Sequence, residues 1–157
     1  MRNVYQIPLK RGEFAIVDKA DEELVRGFNW NLAPNGYVYA DRSRMRIALH
    51  RLIAGPADHE LVDHVNGNRL DNRTANLRIA NSAQNGANRG PARLKSGKTS
   101  RFKGVSWSKT KQRWVVYVHH MGKTRYVGRF TDETEAAKAY NEAAIEVWGE
   151  FARLNDV

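Results

Sequence analysis

A chain of 157 residues with 41% apolar residues can build one core or two small ones, and no apolar run approaches the ~20 residues that a bilayer span requires. It has no cysteine, which excludes disulfides and thiolate zinc sites and suits a reducing, cytoplasmic setting. The net charge of +9 is unevenly spread: residues 1–60 carry nine basic and eight acidic side chains, whereas residues 72–131 carry fourteen Lys and Arg and no Asp or Glu, so a polyanion, most simply nucleic acid, is the expected partner.

The first fifty residues read as short strands. Residues 4–9 and 13–17 flank the turn Lys10-Arg11-Gly12, and a short helix is expected over 21–28 with Leu24, Val25 and Phe28 on one face. Residues 30–32 and 37–40 flank Pro34-Asn35-Gly36, a strong turn signal. Met45, Ile47 and Leu49 alternate with Arg44, Arg46 and Ala48 as in a half-buried strand. The aromatics Tyr5, Phe14, Phe28, Trp30, Tyr37 and Tyr39 suffice for a small core, and nothing here suggests chemistry, so the segment reads as a platform. A short helix starting at His50 should end at Gly55-Pro56. No secretory leader is expected from the opening MRNVYQIPLK, which lacks an apolar centre.

The informative stretch is LVDHVNGNRLDNRTANLRIANSAQNGANR, residues 61–89. Leu61-Val62 leads as a strand into Asp63-His64, Asn66-Gly67 turns the chain, and Leu77-Arg78-Ile79 returns as a second strand. Ser82 can then cap a helix beginning Ala83-Gln84-Asn85. A carboxylate and a carboxamide oxygen are hard ligands for Mg²⁺ or Mn²⁺, and a neutral imidazole can take a proton from an attacking water near pH 7. Neighbours on an extended strand point to opposite faces, so the strand must end or bend at Asp63-His64 for both to serve one site.

This pattern, DHVNGNxxDNRxxNLRxxxSxxN, resembles the HNH endonucleases of the phage and intron homing type, whose last motif position is Asn. The resemblance covers residues 49–89 and implies a ββα-metal fold. It assigns His64 as general base, Asp63 and Asn85 as ligands of a divalent ion (Mg²⁺ or Mn²⁺), and Asn76 as the middle Asn that braces the hairpin and holds the histidine loop. Asn85 stands where many members have a second His.

Residues 86–100, GANRGPARLKSGKTS, read as a basic linker with Arg89, Arg93, Lys95 and Lys98, followed at once by Arg101. Beyond it, residues 102–107, 113–120 and 124–130 read as three strands, and a helix over 133–148 is capped by Asp132 with Glu135 and stopped by Gly149. Its nearly all-alanine stripe, Ala136, Ala139, Tyr140, Ala143, Ala144 and Val147, would let it lie close on a sheet. On the central strand Trp114, Val116 and Val118 share one face, and Arg113, Val115, Tyr117 and His119 the other.

This second unit resembles the plant ethylene-response-factor (APETALA-type) DNA-binding domain through Phe102-Lys103-Gly104-Val105, Trp114, Gly128-Arg129-Phe130, Ala136-Ala137-Lys138-Ala139-Tyr140 and Phe151-Ala152-Arg153-Leu154-Asn155. In that family the sheet enters the major groove. By position, Lys103, Arg113, Tyr117, His119 and Tyr126 would then face DNA, with Lys109 and Arg101 as further candidates. Ser106, Thr124 and Tyr126 stand where the plant domains use Arg or Trp, so sequence preference does not carry over.

The expectation is therefore an α+β chain in three parts. Residues 1–88 form an HNH nuclease domain with its strand-rich platform, 89–100 a basic linker, and 101–157 an ethylene-response-factor-like domain that picks the site. The activity expected is metal-dependent cleavage of double-stranded DNA, nicking one strand or cutting both if two chains cooperate, in a bacterial or phage-infected cell. The alternative is a DNA-binding regulator with a silent nuclease fold.

Overall fold

The computed structural model describes residues 3–10, 12–43, 45–90 and 99–157. It is a mixed α/β chain with several small antiparallel sheets and few helices. The chain divides into two compact units, Met1–Asn81 and Ser82–Val157. Most of the expected basic linker, including Arg93, Lys95 and Lys98, lies outside the described residues.

In the first unit β1 (Val4–Pro8) pairs antiparallel with β2 (Phe14–Asp18). Alternation along β2 turns Ala15 and Val17 inward. The helix expected over 21–28 is only α1 (Glu22–Val25), because Gly27 takes φ +83° and the chain leaves the helix at Arg26. Then β3 (Asn31–Leu32), β4 (Val38–Arg42) and β5 (Met45–Ala48) form a sheet in that order. Leu49 opens α2 (Leu49–Ala54) instead of closing a strand, and Gly55 ends it in the left-handed conformation. Ile7, Leu9, Ala15, Val17, Val25, Trp30, Val38, Ala40 and Leu49 make the core, where the Trp30 indole N–H donates to the Val25 carbonyl at 3.0 Å. Finally β6 (Leu61–His64) and β7 (Leu77–Ala80) form a hairpin with Asp63 opposite Arg78 and His64 opposite Leu77.

The second unit opens with α3 (Ser82–Ala87). Ser82 lies within the helix rather than ahead of it. A sheet follows in the order β8 (Val105–Ser108), β9 (Arg113–His120), β10 (Lys123–Phe130), and α4 (Glu133–Trp148) packs on one of its faces. The Asp132 side chain accepts from the Glu135 N–H at 2.9 Å, capping α4 as expected. Ala136, Ala137, Tyr140, Ala143 and Ala144 are the buried residues of α4; Ala137 takes the inner place expected for Ala139. Small side chains bring the helix so close that a Cβ on Gly104 would lie 2.0 Å from the Tyr140 ring. Asn155 ties the tail to the start of the sheet, accepting from Lys103 N–H at 2.7 Å and donating to Lys103 carbonyl at 3.1 Å. Among the described residues, no helix is long and apolar enough to cross a membrane.

Candidate active site

Strand β6 ends at His64, and the turn is built by the residues that follow. Gly67 adopts φ +73° and its N–H donates to the His64 carbonyl at 2.8 Å. Asn76 closes the loop from the other side. Its backbone carbonyl accepts from Val65 N–H at 2.9 Å, its side-chain oxygen accepts from Asn66 N–H at 3.0 Å, and its amide donates to the Asp71 carbonyl at 2.7 Å. Within the loop, Asn66 donates from its side chain to Asp71, and Arg73 grips both Asp71 oxygens at 2.7 and 2.6 Å. That guanidinium holds the Asp71 carboxyl below the usual carboxylate range.

The N-terminal platform fixes the same loop. Ile16 of β2 donates to the Leu70 carbonyl and accepts from Asn72 N–H, each at 2.8 Å, and the Asp18 carboxylate accepts from Thr74 N–H at 2.8 Å. These bonds seat Asn72, which is only 1% exposed. Its amide nitrogen donates to the Arg69 carbonyl at 3.2 Å, which turns its oxygen toward His64 Nε2, 3.2 Å away. An oxygen acceptor there favours the imidazole tautomer with its proton on Nε2 and its lone pair on Nδ1. Sequence reasoning did not single out Asn72; the only signal was its place in Asp71-Asn72-Arg73.

His64 is 3% exposed and Asp63 6%. Burial pushes the His64 imidazole below its ordinary value, and the Asn72 bond and Asp63 charge only partly oppose this. His50, on α2, sits with its ring 5.5 Å from His64 and 4.8 Å from Tyr37. It is pulled down to about 4, by burial first and then by His64, Arg51 and Arg69. His50 Nδ1 has no hydrogen-bond partner among the described residues. Both imidazoles are therefore neutral at pH 7. Arg69 lies over the Tyr37 ring at 4.5 Å and donates to the Asn35 carbonyl at 2.6 Å, closing this aromatic group.

Asp63 has a different neighbour. Across the hairpin, Arg78 Nε and a terminal nitrogen both donate to one Asp63 oxygen, at 3.0 and 2.8 Å. The register puts the two residues directly opposite, so they share a face. Asp63 and His64 are thus consecutive residues of β6, and Asn76 ends the loop that leads into β7. Asn85 stands half-buried on α3, in the second unit. Among the described residues, no group of three His, Cys, Asp or Glu side chains could hold a metal ion. A carboxylate and a carboxamide are oxygen donors of the kind a hard ion takes when water and phosphate complete its shell, not those of a closed protein cage.

In the second unit the sheet face away from α4 is polar and aromatic. Tyr117 and Tyr126 are directly paired, their rings 5.6 Å apart, and remain 39% and 50% exposed. His119 Nδ1 shares a hydrogen bond with the Thr124 hydroxyl at 2.8 Å. Arg113 and Lys109 are exposed, and Arg101 is exposed with its guanidinium 4.7 Å from the Phe102 ring. Val115 shares this face yet is buried. A bulge between Tyr126 and Gly128 shifts the register so that Arg129 pairs with Val115, joining this face. Strict alternation from Tyr126 would have sent Arg129 to the other side, so sequence reading missed it. Lys103 differs from the rest: its ammonium donates to the carbonyls of Ala87 and Arg89 at the end of α3.

The family model described as HNH endonuclease matches residues 48–87, which hold α2, the β6–β7 hairpin and α3. The chain is 32% identical over 154 residues to a protein of Acanthamoeba polyphaga mimivirus described as an uncharacterised HNH endonuclease, L560, a match spanning 94% of this chain and 77% of that one. It is 34% identical over 93 residues to Protein 3.8 of Escherichia phage T7, spanning 59% of this chain and 74% of that one. No solved structure matches the chain significantly. The chain belongs to the HNH endonuclease family. It is a nuclease, and its substrate is a nucleic acid. Members of the family generally use a divalent metal ion.

Proposed function

We propose that the protein hydrolyses phosphodiester bonds of double-stranded DNA with a divalent ion, and that the second unit, an ethylene-response-factor-like domain, grips the duplex with its sheet. The observation that carries the reading is the His64 imidazole, oriented through Nε2 by Asn72 and pushed by burial below its ordinary value. As general base, this imidazole takes a proton from water as the water oxygen attacks phosphorus. The bond from phosphorus to the 3′-oxygen breaks and that oxygen takes a proton from solvent water, leaving 5′-phosphate and 3′-hydroxyl ends. The family pattern assigns Asp63 and Asn85 as the ion's oxygen donors and a ββα-metal motif to this stretch of sequence. When bound, such an ion polarises the scissile phosphate and offsets charge on the departing oxygen. Asn76 holds the loop in shape and touches no substrate.

Arg113, Tyr117, His119, Tyr126 and Arg129 form the sheet surface offered to DNA, with Lys109 and Arg101 beside it. Arg reads guanine or phosphate, while the tyrosine pair offers contacts of lower specificity. One site per chain implies a nick, and two cooperating chains a double-strand break. Supercoiled plasmid incubated with the protein and Mg²⁺ or Mn²⁺ tests this. Conversion to open circles with 5′-phosphate ends is expected. Retarded but uncut DNA under every divalent ion would leave only a DNA-binding regulator.

A further inference from the structure

α3 is six residues long, far too short to hold itself in water, and it contains Gly86. Its support comes from the second unit. Ser82, Ala83, Gly86 and Ala87 line one wall of a cavity of about 350 Å³ whose other walls include Tyr140 and Trp148. This cavity lies where β9 runs past the start of β8: the β8–β9 register begins at Val105 opposite Val116, and beyond it Tyr117 N–H donates to the Gly104 carbonyl at 3.0 Å. The Trp148 indole N–H donates to the His119 carbonyl at 3.0 Å, covering the same edge.

The link at the end of α3 is Lys103. Its ammonium donates to the carbonyl of Ala87, one of those a helix terminus leaves without an intrahelical partner, and to that of Arg89 just beyond the helix. A cation also complements the negative end of a helix. The backbone that carries Lys103 is itself held on both sides by Asn155, whose amide bonds its N–H and its carbonyl, so the side chain projects from a fixed point. Asn155 is fixed in turn by Asn141 of α4, through bonds of 2.9 and 2.7 Å. A chain of hydrogen bonds therefore runs from α4 through Asn155 and Lys103 to α3.

We infer that Lys103 is a positioning residue that anchors α3 to the sheet unit, so that this unit sets where the helix presents Asn85. The inference rests on the reading above that Asn85 serves the cleavage centre. It gives the sheet a second role beside gripping DNA, and it takes Lys103 out of the set of phosphate contacts.

Hydrogen–deuterium exchange on the full chain, comparing wild type with Lys103→Met and Lys103→Arg, tests the anchor. Lys103→Met is expected to speed exchange of the amides of residues 82–90 by about ten- to a hundred-fold, with the buried β9 amides unchanged as the control for an intact sheet. Lys103→Arg, which keeps the cation and a long stem, is expected to restore most of the protection. Cleavage by Lys103→Met at saturating DNA should fall, while duplex affinity and its salt dependence stay within about twofold of wild type. Unchanged exchange in α3 overturns the anchor. So does a duplex affinity that drops with a salt slope smaller by about 1, the mark of a lost phosphate contact. Should Lys103→Met also unprotect β9, Lys103→Gln, which keeps a neutral donor, replaces it under the same criteria. The exchange result stands even if wild type cuts no DNA, in which case the nuclease reading fails and the anchor does not.

Discussion

Removing the Asn72 side chain should damage cleavage more than it damages folding. Asn72→Ala takes away the acceptor for His64 Nε2 and the donor for the Arg69 carbonyl, both about 3.2 Å away in a site 1% exposed to solvent. Each buried polar group left without its bond costs about 1–3 kcal/mol, so the pair costs ~2–4 kcal/mol once water or small shifts recover part of it. Against a typical stability of about 5–15 kcal/mol, the variant stays folded. The backbone bonds between Ile16 and the 70–72 loop do not involve the lost atoms and keep the loop in place. The imidazole, however, loses what orients it and selects its tautomer. General-base catalysis is worth about 10²–10⁴-fold, and cleavage should fall by roughly 10- to 1,000-fold. Asn72→Asp keeps an acceptor at the same place and should retain more activity than Asn72→Ala. Initial rates of plasmid nicking, set beside urea unfolding curves, separate the two effects. A folded Asn72→Ala protein that cuts at the wild-type rate would refute the assignment.

Other consequences follow from the same geometry. Arg78→Leu strips the cross-strand partner from the buried Asp63 carboxylate and should cost about 3–5 kcal/mol, read as a lower urea midpoint. Gly104→Ala forces a Cβ against the Tyr140 ring and the Tyr117 carbonyl at φ +74°, and should unfold the second unit while leaving the first unit's amides protected from exchange. His50 binds a proton at about 4 in the fold and at its ordinary 6.5 when unfolded, so the unfolded state takes up more protons between these values. Stability should therefore fall as pH drops from about 6.5 to about 4. His50→Phe should flatten that fall in denaturation curves taken across the window.

What the sequence disclosed, and what it hid, depends on the range of the interactions. Asn66-Gly67 announced its turn because the requirement is local: only a small residue reaches φ +73° at low cost. The paired strands of the hairpin and the cap of α4 were legible for the same reason. The length of α1 was not, because Gly27 stops a helix that the apolar spacing alone would have continued. Asn72 escaped notice because its role depends on β2, more than fifty residues earlier in the chain, pinning the loop. Arg129 was passed over because a single extra residue at the β10 bulge reverses facing without leaving any trace in composition. The link from Lys103 to the end of α3, backed by Asn155 and Asn141, is built from interactions with no periodicity to detect.

At the centre of this account stands the imidazole of His64, oriented by Asn72 and kept neutral by burial. Cleavage of supercoiled plasmid by His64→Ala, measured beside its affinity for a labelled duplex, tests it most directly. Nicking lost by at least about a hundredfold with duplex binding retained is the expected result. Nicking at the wild-type rate would show that the proton is taken elsewhere and contradict the account.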